Sequence, residues 1–214
     1  MLSFLKTWLG SAQREKHALK RPEFAHLYDP PPKGEWVSLD LEMTGLNPKS
    51  DHILSVGAVR IMQVGGVFEI DTKNSLSLVC RPPVMPSYES ITVHGLRPVD
   101  VENGVDYETM LGTLLAFIGS RPIVGFCTKL DVAFLNEQVR PFLGVPLKNP
   151  CLDVSLMEQK IAQKAYGGLD APVERKHLNE LLAAFSIPRL PAHDALNDAI
   201  MTAMVFCHLQ SKSV

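Results

Sequence analysis

The hydrophobic period of this chain changes once, near Tyr107, and that change limits the architecture more than any single motif does. Before it, "EWVSLDLEM" (35–43) alternates as a strand does, and "HILSVGAVRIMQVGG" (52–66) and "SLSLVC" (75–80) read as a second and a third strand. The stretches "GLNPKSD", "GG" and "RPP" supply the turns between and after them. From Tyr107 the apolar residues of "YETMLGTLLAFIGS" fall at helical spacing, and "PIVGF" (122–126) is a short, wholly apolar run of the kind a buried parallel strand shows. Helices are predicted in "LDVAFLNEQVRPFL", "DVSLMEQKIAQ", "HLNELLAAFSI" and "HDALNDAIMTAMVFCHLQ". Strands first and an alternating half afterwards predict an α/β fold, a mixed sheet covered by helices.

Residues 1–33 carry an excess of three positive charges and run into "YDPPPKG" (28–34), whose consecutive prolines cannot continue a helix. A boundary is therefore expected there: a basic arm and proline-rich connector over 1–33, and the main domain over 34–214. The first dozen residues suit a short amphipathic helix packed on that domain. Cys80, Cys127, Cys151 and Cys207 lie far apart with no C-x-x-C pair, which argues against a zinc knuckle or a disulfide framework and for a reducing, cytoplasmic setting. No signal peptide and no membrane span is expected. The net charge of −2 disfavours a protein that coats nucleic acid, but it is compatible with an enzyme that handles a chain end.

Against this ordinary background, the first strand holds two acids. Residues two apart on a strand share a face, so Asp40 and Glu42 aim at one spot while Val37, Leu39 and Leu41 fill the opposite side. Two carboxylates held together repel unless a cation, an arginine or a proton offsets them, and the stretch contains no lysine or arginine. Acids on an exposed edge strand would merely deter pairing, but the flanking apolar residues indicate a central strand, and Thr44-Gly45 follows as a turn that admits close approach. Hard divalent cations prefer such oxygen ligands.

Two more places add to the set. Asp131 follows the apolar run 122–126 near a helix start, where it suits either a functional group at a strand end or a first-turn acid. In "LPAHDALNDAIMTAM", His193 and Asp198 are five residues apart, about 140° on an ideal helix. They can serve one site only if His193 belongs to the preceding loop and reaches over the helix end. Ala195 and Ala199 would let that helix approach the sheet, and Asp194 suits the helix dipole.

Taken in order, "LDLEMTGL" (D-x-E-x-T-G-L), "GFCTKLDVAFLN" and "AHDALNDA" (H-x-A-L-x-D-A) resemble the motifs of the DEDD exonuclease superfamily, in its histidine-bearing branch. That branch includes the proofreading epsilon subunit of the bacterial replicative polymerase. "ITVHGLRPVDV" is similar to the segment that links the first two motifs, and the similarity runs from about Glu35 to Leu209. The resemblance implies a ribonuclease H-like fold with a five-stranded mixed sheet, and a 3′→5′ exonuclease that releases nucleoside 5′-monophosphates. It implies two divalent cations, Mg²⁺ or Mn²⁺, held by Asp40, Glu42, Asp131 and Asp198, with His193 as general base. Met43, Thr44, Gly45 and His94 would meet the terminal nucleotide. The implied partner is the 3′ end of a nucleic acid, DNA before RNA, with a DNA polymerase as a further candidate.

The second motif departs from the family pattern G-H-N-x-x-F-D at Phe126, Cys127 and Leu130, which bears on the nucleotide pocket more than on the chemistry. Cys127 is expected to be a small buried hydrophobe. Two other classes fit less well. D-x-E-x-T is similar to the nucleophile loop of haloacid dehalogenase phosphatases, but the downstream lysine and glycine-aspartate pair are missing and His193 is left without a role. A non-catalytic binding protein of the same fold would not need the intact acids.

Overall fold

β1 (Glu35–Met43) is the middle strand of a five-stranded sheet, so both of its faces are covered. The computed structural model describes residues 11–168 and 172–211. β2 (Ile53–Val64) runs antiparallel to β1, and β3 (Val67–Val79) pairs antiparallel with β2 at the edge. On the other side β4 (Ile123–Gly125) and β5 (Cys151–Asp153) add in parallel, giving the order β3-β2-β1-β4-β5. This is the mixed ribonuclease H-like sheet that the resemblance implies.

The helices are α1 (the helical residues 11–17), α2 (Tyr88–His94), α3 (Pro98–Glu102), α4 (Tyr107–Ile118), α5 (Thr128–Leu143), α6 (Val154–Tyr166), α7 (Leu178–Ala184) and α8 (Ala195–Ser211). Local chemistry sets their ends. Asp106 caps α4 by accepting the Thr109 N–H at 2.7 Å, and Gly144 ends α5 at a left-handed φ of 84°. The sequence reading differs in three places. The third strand begins at Val67 rather than at 75, because Gly65 and Gly66 both adopt positive φ and close a tight hairpin onto β2. β5 and the short helices α2 and α3 went unread, since elements of three to seven residues show no period.

Two apolar layers sandwich the sheet. Val37, Leu39 and Leu41 of β1 join Leu111, Leu114 and Leu115 of α4 and Phe134, Leu135 and Val139 of α5. Burial of each such side chain contributes on the order of 1.5–3 kcal/mol. On the other face Trp36 packs on Phe206 of α8 with ring centroids 5.3 Å apart, beside Val124, Leu181 and Val205. The arm packs on the first layer: Ala12, Leu27 and Tyr28 are buried in it, the Tyr28 hydroxyl donates to the Pro146 carbonyl at 3.0 Å, and Arg21 stacks over Phe142. The first ten residues, where the short amphipathic helix was expected to begin, lie outside the described residues. Among the described residues no helix is long and apolar enough to cross a membrane.

One contact governs how the second layer meets the sheet. Gly57 of β2 stands opposite Asp40 of β1, and a Cβ there would lie 2.1 Å from the carbonyl carbon of Ala195. The first turn of α8 therefore rests directly on the sheet beside the two acids, and Ala195 and Ala199 are both buried.

Candidate active site

Alternation along β1 places Asp40 and Glu42 on the face that α8 covers, at the strand's C-terminal end, with Glu42 only 9% exposed. A bulge follows between Glu42 and Met43 and turns the chain into the 44–52 loop. Asp131 projects from the first turn of α5 just beyond β4; it is 4% exposed and its Oδ2 has no hydrogen-bond partner. Asp198 lies in the first turn of α8, which the Gly57 contact holds against the sheet. His193 belongs to the preceding loop, as its spacing from Asp198 required. It adopts a left-handed φ of 62°, and its backbone N–H donates to Asp198 Oδ2 at 3.1 Å. Asp194 caps α8, with Oδ1 accepting the Asn197 N–H at 2.9 Å.

The tightest group is Glu42, His193 and Asp198, each offering one ligand atom with all three atoms within 4.8 Å of one another. Asp40 and Asp131 stand outside that trio but share its field. Burial, and then the charge of Asp131 followed by those of Asp198, Glu42 and Asp194, holds the Asp40 carboxyl well above its usual range. Burial and the charges of Asp153 and Glu42 do the same to Asp131. Glu42 is pushed up to about 7 by burial and by Asp198 and Asp194, and burial raises Asp198. Among the described residues none of these four acids forms an ion pair with lysine or arginine.

Those observations test whether the site suits divalent cations. Four carboxylates in one shared field, one with an orphaned buried oxygen, form a hard oxygen donor set with which no lysine or arginine pairs among the described residues. The residues fit such ions.

The four residues expected to meet the terminal nucleotide fall together. Met43, Thr44, Gly45 and His94 line a groove of about 420 Å³ that also takes in Glu42 and Ser90. Thr44 Oγ1 accepts the His52 N–H at 2.9 Å and donates to Asp51 Oδ1 at 3.2 Å. Gly45 leaves room for the same carboxylate: a Cβ there would lie 2.6 Å from both Asp51 oxygens and would displace them from Thr44. His94 is buried; its Nδ1 accepts the Leu96 N–H at 3.0 Å, which leaves the proton on Nε2, an atom without a partner. Burial and the nearby His193 lower its pKa.

The sequence reading ties Phe126 to the nucleotide pocket but does not single out His177, Asn179 or Asp51. Phe126, His177 and Asn179 line a second groove of about 250 Å³ with Asp40, His193 and Asp198. "KHLN" at a helix start was the available signal, and it is a weak one. Asp51, which organises the 44–52 loop, was read only as part of a turn. Cys127 is exposed rather than buried: it occupies the N-cap position of α5 at a left-handed φ of 59°, which turns it out of the core.

Comparison with known proteins gives a consistent picture. The family model described as Exonuclease matches residues 37–206. The chain is 28% identical over 174 residues to DNA polymerase III subunit epsilon of Aquifex aeolicus, covering 81% of this chain and 79% of that one. It is 29% identical to the PolC-type DNA polymerase III of Thermotoga petrophila over 80% of its own length, but it spans only 11% of that protein. An oligoribonuclease of Baumannia cicadellinicola is 27% identical over 166 residues. Among solved structures, E. coli exonuclease I in complex with a dT13 oligonucleotide superposes with a TM-score of 0.66 at 17% identity, over 83% of this chain and 41% of that one.

Proposed function

The chain belongs to the exonuclease family, and on that premise we propose that it is a divalent-metal-dependent 3′→5′ exonuclease acting on DNA ends and releasing nucleoside 5′-monophosphates. The observation that carries this reading is the trio Glu42, His193 and Asp198, with Asp40 and Asp131 in its field and no lysine or arginine paired with any of the four acids among the described residues. When bound, a pair of Mg²⁺ or Mn²⁺ ions supplies activation of the attacking water and charge neutralisation at the phosphate and the departing 3′-oxygen. Asp40, Glu42, Asp131 and Asp198 would hold them.

The chain's own groups do the rest. His193 is exposed, and its backbone is tied to Asp198, so its imidazole stands at the edge of the acid cluster, where it takes the proton from the attacking water. Met43, Thr44, Gly45 and His94 seat the terminal nucleotide in the 420 Å³ groove. The Nε2–H of His94 is a donor awaiting an acceptor on that nucleotide. We take residues 34–214 as the exonuclease unit and 1–33 as its arm. The likeness to the epsilon and PolC proteins supports a proposed role beside a DNA polymerase, and with it a proposed cytoplasmic location.

The likeness to an oligoribonuclease favours a second reading, an exoribonuclease acting on short RNA by the same chemistry. A digestion panel of 3′-labelled single-stranded DNA, duplex, mismatched duplex and short RNA, with Mg²⁺ and with Mn²⁺, separates the two. Faster removal of mismatched or single-stranded DNA ends is expected. Selective degradation of short RNA would favour the second reading, and no digestion of any substrate would overturn both.

A further inference from the structure

A third groove, of about 160 Å³, opens between the start of α5 and α6, on the β5 side of the acids. Lys129 of α5 and Lys160 of α6 line it, together with the apolar side chains of Leu156 and Met157. Both lysines are exposed, and neither forms an ion pair among the described residues. Asp153, the acid of this groove, is already engaged: Oδ2 pairs with Arg175 at 2.7 Å, and Oδ1 caps α6 by accepting the Ser155 N–H at 3.0 Å. The two ammonium charges are therefore uncompensated.

The groove adjoins the reaction centre. Two residues of its wall lie within the field of Asp131: the charge of Asp153 helps to raise the Asp131 carboxyl, and the Cys151 thiol is raised by burial and by the charge of Asp131. The grooves of the acid cluster itself offer no lysine or arginine to a strand. The one holding Met43 and His94 contributes Glu42 and Glu89 and no lysine or arginine. The one holding Phe126 and His177 contributes Asp40 and Asp198. A larger groove beyond it contains Arg175 and Lys176, but these pair with Asp153 and Glu158. A strand leaving the acid cluster meets free positive charge at Lys129 and Lys160, with apolar surface between them for a sugar or a base.

We propose that Lys129 and Lys160 bind the phosphates of the polynucleotide strand upstream of the scissile bond, and so set how tightly a chain longer than the terminal nucleotides is held. This rests on the exonuclease reading and adds the substrate's path to it. Phosphate contacts of this kind position a strand without reading its sequence.

The test uses the full chain and two substrates: a 3′-labelled oligothymidylate of a dozen nucleotides, and the p-nitrophenyl ester of thymidine 5′-monophosphate, which has no upstream strand. Lys129→Gln/Lys160→Gln is compared with the unmodified protein in Mn²⁺, with Lys73→Gln on the edge strand β3 as a control. On the ester the double variant should match the unmodified enzyme. On the oligonucleotide its KM should rise about tenfold with kcat retained, and the slope of log kcat/KM against log salt should become shallower by about 1.4, roughly 0.7 for each lost contact to a single strand. Unchanged KM and salt slope on the oligonucleotide, with the ester still hydrolysed, would overturn the path. An equal loss on both substrates would also overturn it, because the lysines would then act at the reaction centre or on the fold. Failure of the unmodified protein on both substrates would instead remove the exonuclease reading, and the path with it.

Discussion

The backbone N–H of His193 is bonded to the carboxylate of Asp198, 3.1 Å away, so the site's exposed imidazole and one of its half-buried acids are held as a unit at the mouth of α8. The bond uses the main chain of His193, not its ring, so the ring can be removed without disturbing the acid. His193→Ala should lower kcat by about 10²- to 10⁴-fold, the usual contribution of a positioned general base. Its melting temperature and its Mn²⁺ affinity, read by calorimetric titration, should stay near those of the unmodified protein. A collapse of Mn²⁺ affinity would make His193 a ligand instead of a base.

Gly57 gives a second, geometric prediction. Its missing Cβ leaves room for backbone atoms of Ala195, which cannot swing aside as a side chain would, so Gly57→Ala must lift the start of α8 from β2. A loss of about 1–3 kcal/mol in urea unfolding is expected, as for an overpacked core, with a larger proportional loss of activity because Asp198 moves with the helix. Gly112→Ala is the matched control. It lies inside α4 with nothing within 4 Å of the added methyl, and it should gain about 0.5–1 kcal/mol with activity unchanged.

That pair also shows what the sequence discloses. The alternation of "WVSLDLEM" reveals that Asp40 and Glu42 share a face, because a strand's period is local. The 140° between His193 and Asp198 is enough to demand that His193 sit in the loop. Gly57 looks like any glycine in an apolar strand until α8 is placed over it, and Lys129 and Lys160 meet only because β5 brings α5 and α6 together. The three-residue β5 and the one- to two-turn α2 are held by neighbours rather than by a pattern of their own, so they leave no trace in periodicity.

Stability of the metal-free protein should fall as pH rises. Glu42 is at about 7 when folded, against 4.5 for the free side chain, and Asp40 and Asp131 are displaced in the same direction by burial and mutual repulsion. Between those values the folded state binds more protons than the unfolded chain, so by linkage the stabilisation present below about 4.5 is lost as pH climbs through 7. In EDTA the melting temperature should decline from pH 5 to pH 8. Saturating Mn²⁺ at pH 8 should restore it, since ions bound by the folded state replace the protons. A melting temperature that rose over that interval in EDTA would show that the acids are not held together as described.

Removing one of these charges should therefore separate stability from activity. Asp40→Asn keeps the shape of the side chain and deletes a charge that Asp131, Asp198, Glu42 and Asp194 all oppose. In EDTA at pH 8 the variant should melt above the unmodified protein, by a gain on the order of 1 kcal/mol, because a repelling group at a functional site is a stability cost accepted for the sake of activity. With Mn²⁺ the order should reverse: the unmodified protein gains from the ions, while the variant binds them weakly and releases no nucleotide from a 3′-labelled oligonucleotide. The two melts and the digestion together distinguish a functional carboxylate from a structural one. A structural acid would lower the melting temperature in EDTA when neutralised, and retained hydrolysis would remove Asp40 from the metal set.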